Sequence, residues 1–131
     1  MELDVVAWIH TSNNRLLTVR ARGRDLLYLP GGKRDPGETH PEAISREVRE
    51  ELGLDLPPRA FHELGTVLAP AHDQPLYEQV RMVCFTAGHT GPLQPSAEID
   101  ECLYVGEDQR HLLAPASLAA FELAQKHALL R

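Results

Sequence analysis

One stretch limits the fold of this chain more than any other: GGKRDPGETHPEAISREVREELGL, residues 31–54. It opens as a loop and must turn into a helix. Thr39 and Glu42 have the T-x-x-E spacing of a capping box, and Pro41 falls in the first turn, where no amide donor is required. Gly53 stands where a helix C-terminus favours a left-handed residue. The spacing therefore predicts a helix from about residue 40 to residue 52. At about 100° per residue, Ala43, Ile44, Val48 and Leu52 form an apolar stripe that must face a core. Glu47, Glu50 and Glu51 share another arc about 100° wide.

That acidic arc is either a solvated surface or a cation site. Three neighbouring carboxylates repel one another. Glu50 and Glu51 also sit near the helix C-terminus, at a cost of about 0.3–1 kcal/mol each. Exposed pairs with Arg46 and Arg49 return only tenths of a kcal/mol. A bound divalent ion would relieve the repulsion. A set of oxygen ligands suits hard Mg²⁺ or Mn²⁺, and few carboxylates plus water suit magnesium held together with a substrate's phosphates. Gly31 and Gly32 lend the preceding loop a backbone that can approach closely and offer a carbonyl to the ion.

The rest of the chain supplies strands. Residues 3–9, LDVVAWI, read as a buried strand. TSNN is a turn, so residues 15–20 should return as a hairpin. A short strand is expected at LLYLP, ended by Pro30. Two more are expected in residues 60–70 and 79–87, with a loop at PAHDQP between them, and a last short one at CLYVG. PASLAAFELAQKHALL should close the chain as an amphipathic helix with Leu118, Phe121 and Leu129 on its apolar side. The class is mixed α/β, with helices packed on a mixed sheet. At 131 residues the expectation is one domain over residues 1–131.

A formal net charge of −6 excludes a broad basic face for a nucleic acid polymer, though not a small anionic substrate met through a metal. The acidic N-terminus and the lack of an apolar run of about 20 residues predict a cytoplasmic chain without a membrane role. Cys84 and Cys102 stand in unlike settings and are expected to be reduced, half-buried strand residues. The seven histidines show no ligand spacing, and none is assigned to metal.

Gly32, Glu38, Arg46, Glu47, Val48, Glu50, Glu51, Gly53 and Leu54 match every position of G-x5-E-x7-R-E-U-x-E-E-x-G-U, where U is apolar. The chain thus resembles the Nudix (MutT-like) hydrolases. The resemblance implies an α/β/α sandwich around a mixed β-sheet. It also implies Mg²⁺- or Mn²⁺-dependent hydrolysis of the pyrophosphate linkage in a nucleoside diphosphate joined to a group X, such as a (deoxy)nucleoside triphosphate or ADP-ribose. Carried over position by position, Glu47, Glu50 and Glu51 resemble metal ligands, one of them doubling as a candidate base. Gly31 resembles a carbonyl ligand, and Arg46 the arginine that orients the glutamates. Glu38 resembles the first box glutamate, which braces the loop or joins the metal shell. Glu98, in PSAEIDECLYVG, resembles the further ligand or base that some members place on a late loop; a solvated carboxylate is the other reading, and Glu101 is the next candidate.

Beyond the motif, Arg20 and Arg22 either clamp phosphate or form a charged hairpin end. Lys33 either steers phosphate or is solvated. Tyr28 is a candidate substrate contact; many relatives carry tryptophan where this chain has Leu27. Trp8 and Tyr77 are aromatic enough to stack on a base, with a core place for Trp8 the stronger reading. The partner is then a small-molecule nucleotide, and the chain a monomer or a homodimer. A catalytically silent nucleotide-sensing module is the alternative, set against by the complete set of glutamates. An isoprenoid diphosphate isomerase would need a cysteine context that neither Cys84 nor Cys102 has.

Overall fold

The computed structural model describes every residue of the chain except Asp73 and Thr90. Seven strands and two helices are present among the described residues: β1 (Glu2–Trp8), β2 (Thr11–Ser12), β3 (Arg15–Ala21), β4 (Gly31–Lys33), α1 (His40–Leu52), β5 (His62–Pro70), β6 (Gln79–Thr86), β7 (Ile99–Val105) and α2 (Pro115–Lys126). None of these helices is long and apolar enough to cross a membrane.

β1 organises the sheet. Its side chains alternate between two cores: Leu3, Val5 and Ala7 face the layer that contains α2, whereas Val6 and Trp8 face the layer that contains α1. A strand covered on both faces needs apolar residues at successive positions, which is why LDVVAWI lacks a polar alternation. β1 pairs parallel with β6 and antiparallel with β4, and β5 closes the far edge, giving the order β4-β1-β6-β5. β2, β3 and β7 form a second, antiparallel sheet. The expected helix–sheet–helix layering is present, with the strands divided between two sheets. The β2–β3 turn is built on Asn13 and Asn14, both at positive φ, the conformation a two-residue hairpin turn requires.

Three local expectations are corrected. LLYLP is not a regular strand. Tyr28 exchanges backbone bonds with Val19, Leu29 donates its N–H to Ser117 Oγ, and the Pro30 carbonyl accepts from Trp8. These groups are satisfied by three different elements, so no single ladder forms. The segment at residues 31–33, read as loop, pairs with β1 as β4. α2 stops at Lys126 rather than running through Leu130, because Ala128 turns left-handed at φ 61°. The Leu129 N–H then bonds the Ala124 carbonyl, the 6→1 bond of a Schellman cap. Leu129 is therefore outside the helix and 37% exposed, while the buried face of α2 is Ala116, Ser117, Ala120, Phe121 and Ala124. Small residues let the helix lie close to β5, where Gly65 meets Leu123.

Cys84 is fully buried on β6 and Cys102 partly buried on β7; both are free thiols, with burial raising each pKa. Trp8 is wholly buried, donates its indole N–H to the Ala87 carbonyl and does not line the cavity, so its place is in the core and not against a base.

Candidate active site

α1 delivers the glutamates. Its start is locked by the capping box: Thr39 Oγ1 accepts from the Glu42 N–H at 3.2 Å, and Glu42 Oε1 accepts from the Thr39 N–H at 2.8 Å. Its end is Gly53 at φ 70°. Between them, Ala43, Ile44, Val48 and Leu52 are buried against β1, β3 and β6, which fixes the rotation of the helix and turns Glu47, Glu50 and Glu51 toward β4.

β4 passes close by, and its two glycines are required for different reasons. A Cβ on Gly31 would stand 2.0 Å from the Val6 carbonyl oxygen, and φ there is +148°. A Cβ on Gly32 would stand 2.7 Å from Glu47 Oε1, so this position is kept bare by the carboxylate itself. The Gly31 N–H donates to Glu51 Oε1 at 3.1 Å.

Arg46 ties the loop to the helix. Its Nε and Nη2 donate to the two oxygens of Glu38 at 2.7 and 2.9 Å, Nη2 donates to the Lys33 carbonyl at 3.0 Å, and Nη1 donates to Glu47 Oε1 at 3.0 Å. This two-point pairing matches a planar guanidinium to a carboxylate. Hydrogen bonds from Arg46 and from the Asp35 N–H hold the Glu38 carboxyl down to about 2. Glu38 in turn fixes the guanidinium that aims Glu47.

Glu51 is the opposite case. Burial, followed by the charge of Glu47, pushes its carboxyl up to about 9; the Gly31 N–H offsets only part of this. Two carboxylates held together out of water cannot both ionise unless a cation joins them. Glu50 stands farther out, 52% exposed against 14% for Glu47. The donors are all oxygens, which fits a hard divalent cation and not a soft one. Among the described residues no three His, Cys, Asp or Glu side chains close around one point, so water or substrate oxygens would have to complete a coordination shell.

These carboxylates line a cavity of about 510 Å³. The same cavity is also lined by apolar Leu3, Val5, Val80 and Met82 and by the start of α2 at Ala114–Ala116. A cavity lined by acidic, basic and apolar side chains together suits a ligand that carries both charged and flat apolar parts.

A family model described as "NUDIX domain" matches residues 2–127. The chain belongs to the NUDIX family. The human "8-oxo-dGDP phosphatase NUDT18" is 40% identical over 77 residues, which are 59% of this chain and 21% of that protein. The "8-oxo-dGTP diphosphatase" of Haemophilus influenzae is 49% identical over 41 residues, 29% of this chain and 30% of that one. The chain thus spans under a third of the length of these two relatives. Among solved structures, the MutT protein from Methanosarcina mazei Go1 superposes with a TM-score of 0.76 at 22% identity, covering 97% of this chain and 95% of its own.

Of the residues singled out in the sequence, Glu47, Glu50 and Glu51 of the NUDIX box converge on the cavity, together with Gly31 just before the box, Lys33, Tyr28 and Glu98. Glu38 and Arg46 lie behind them as a brace. Arg20 and Arg22 are not brought to the cavity. Arg20 pairs with Glu101 at 2.8 Å across the β3–β7 ladder, and Arg22, 77% exposed, lies 3.5 Å from Asp100. The first pairing follows from antiparallel register, which sets Arg20 opposite Glu101; Arg22 lies just past β3, its backbone N–H bonded to the Glu98 carbonyl. The first pairing occupies Glu101, leaving Glu98 as the late carboxylate in the cavity wall. Tyr77 is also outside it.

Three lining residues were missed: Arg24, His72 and Gln74. The Arg24 guanidinium stands 5.9 Å from the centre of the Tyr28 ring, and Tyr28 Oη lies 2.6 Å from His72 Nδ1. Arg24 carried a signal in the alternation VRARGRD. His72 and Gln74 carried none, because their place depends on where the loop after β5 falls across the cavity.

Proposed function

We propose that residues 1–131 form one NUDIX hydrolase domain that cleaves the pyrophosphate linkage of a nucleoside diphosphate joined to a further group, with Mg²⁺ or Mn²⁺. The observation that carries this reading is the half-buried Glu47–Glu51 pair, whose second carboxyl is pushed up to about 9 in the wall of a cavity lined by both charged and apolar side chains. Glu47, Glu50, Glu51, the Gly31 carbonyl and Glu98 are the oxygens that would hold the ion. When bound, it supplies charge neutralisation at the phosphates and a lowered pKa for water. Arg46 keeps Glu47 in position, and Glu38 serves as its brace. Glu50 and Glu98 are the exposed carboxylates of the set and the candidates for taking the proton from the attacking water. Lys33 faces the phosphates from β4, while Tyr28 and Arg24 meet the part of the substrate near His72.

The names of the two relatives favour an oxidised purine nucleotide as the first substrate to try, and the apolar residues of the cavity wall suit a flat base. A cytoplasmic setting, where such nucleotides are met, agrees with the reading. The test is release of phosphate or pyrophosphate from dGTP, 8-oxo-dGTP, 8-oxo-dGDP and ADP-ribose, with Mg²⁺ or with chelator. Turnover of at least one compound, lost with chelator and in Glu47→Gln and Glu51→Gln, is expected. Turnover at full rate in both variants would remove the mechanism. Binding of a nucleotide with no turnover of any would mark a sensing module instead.

A further inference from the structure

A second cluster lies just beyond the C-terminal end of β1, lining a different hollow from the glutamates. His10 follows β1 and His89 follows β6; because these strands run parallel, the two segments leave the sheet side by side. The bond from the Trp8 indole N–H to the Ala87 carbonyl, at 3.1 Å, holds the second segment against the first. His10 stacks on Trp8 with ring centres 4.9 Å apart and planes 19° apart, and His89 stands edge-on to Trp8 at 5.5 Å. The Nε2 atoms of the two histidines are hydrogen-bonded to each other at 3.2 Å, one ring donating and the other accepting.

We propose that His10 and His89 form a binding site for a borderline divalent transition ion of the Zn²⁺ type, separate from the carboxylate site. Nitrogens bound at about 2.0–2.1 Å to a tetrahedral ion stand roughly 3.3 Å apart, close to the spacing observed. The ring centres are 4.6 Å apart with planes at 76°. The rings therefore meet at an angle and not head to head, and an ion bound between them would replace the Nε2–H···Nε2 hydrogen bond, with its proton released to solvent. Imidazole donors select Zn²⁺, Cu²⁺ or Ni²⁺, whereas the all-oxygen glutamate site selects Mg²⁺ or Mn²⁺. His10 lines an open hollow of about 250 Å³ through which an ion can enter. No third His, Cys, Asp or Glu among the described residues completes the set, so solvent takes the remaining positions. Nδ1 of His89 is buried without a partner among the described residues. The site therefore lacks the outer hydrogen bond that tightens histidine–metal sites, and micromolar affinity is expected.

Trp8 is the sole tryptophan and touches both rings, so the site reports on itself. The experiment is a Zn²⁺ titration of the full chain in excess Mg²⁺, followed by tryptophan emission and by calorimetry. Saturable uptake of one ion is expected, with the dissociation constant at least about tenfold weaker in His10→Phe and in His89→Gln. Glu47→Gln and Glu51→Gln should leave it unchanged. His10→Phe keeps a ring stacked on Trp8; if it fails to fold, His89→Gln carries the comparison. Absence of uptake by the wild type, uptake that persists in the histidine variants, or uptake abolished by the glutamate variants would overturn the proposal.

Discussion

Replacing Glu51 by glutamine should stabilise the metal-free protein and destabilise it when metal is present. The glutamine oxygen can still accept the Gly31 N–H, so the hydrogen bond survives and only the charge is removed. In the wild type the folded-state carboxyl is raised from 4.5 to about 9, chiefly by burial. Between those values the unfolded chain has released this proton and the folded chain has kept it. Stability therefore falls as pH rises through that window. At about pH 7 the gap is roughly 2.5 units, or about 3 kcal/mol at 1.36 kcal/mol per unit. Glu51→Gln is free of this term. Urea denaturation in chelator should show the variant more stable by up to about 3 kcal/mol near pH 7, with the gap widening toward pH 9 and closing below about pH 4.5. Saturating Mg²⁺ with nucleotide should reverse the order, because a ligand that binds only the folded wild type adds RT ln(1 + [L]/Kd). A variant less stable than the wild type in chelator, by an amount that does not change with pH, would refute the claim that Glu51 is a strained carboxylate awaiting a cation.

Gly31→Ala should cost about 3 kcal/mol or more in thermal or urea unfolding, since the new methyl group meets the Val6 carbonyl and the backbone is at positive φ. Arg46→Lys should lower turnover by about tenfold or more while leaving the helix content intact, because one ammonium cannot hold both Glu38 oxygens and Glu47. The same variant should unfold at a less acidic pH. Glu38 is held down to about 2, so its pairing is present above about pH 4.5 and is lost as pH falls toward 2; acid titration followed by circular dichroism reads this. Thr39→Ala should lower stability by about 1 kcal/mol by uncapping α1, with a smaller effect on turnover than any glutamate change.

The sequence by itself determined the helix and its chemistry. Capping, apolar stripe and acidic arc are all encoded within a few residues of one another, and 3.6-residue periodicity converts that local spacing into a shared face. β1 was legible for a similar reason: an apolar run this short and β-rich has few other places to go. Tertiary structure decided whatever depends on two distant segments meeting. Arg20 looked like a phosphate contact until the β3–β7 register set Glu101 opposite it, and register is a property of the pair of strands. Arg24 and His72 entered the cavity wall through the path of loops, and His10 met His89 because two parallel strands end together. Burial, which turns Glu51 from an ordinary acid into a raised one, likewise exists only once α1 has packed beside β4.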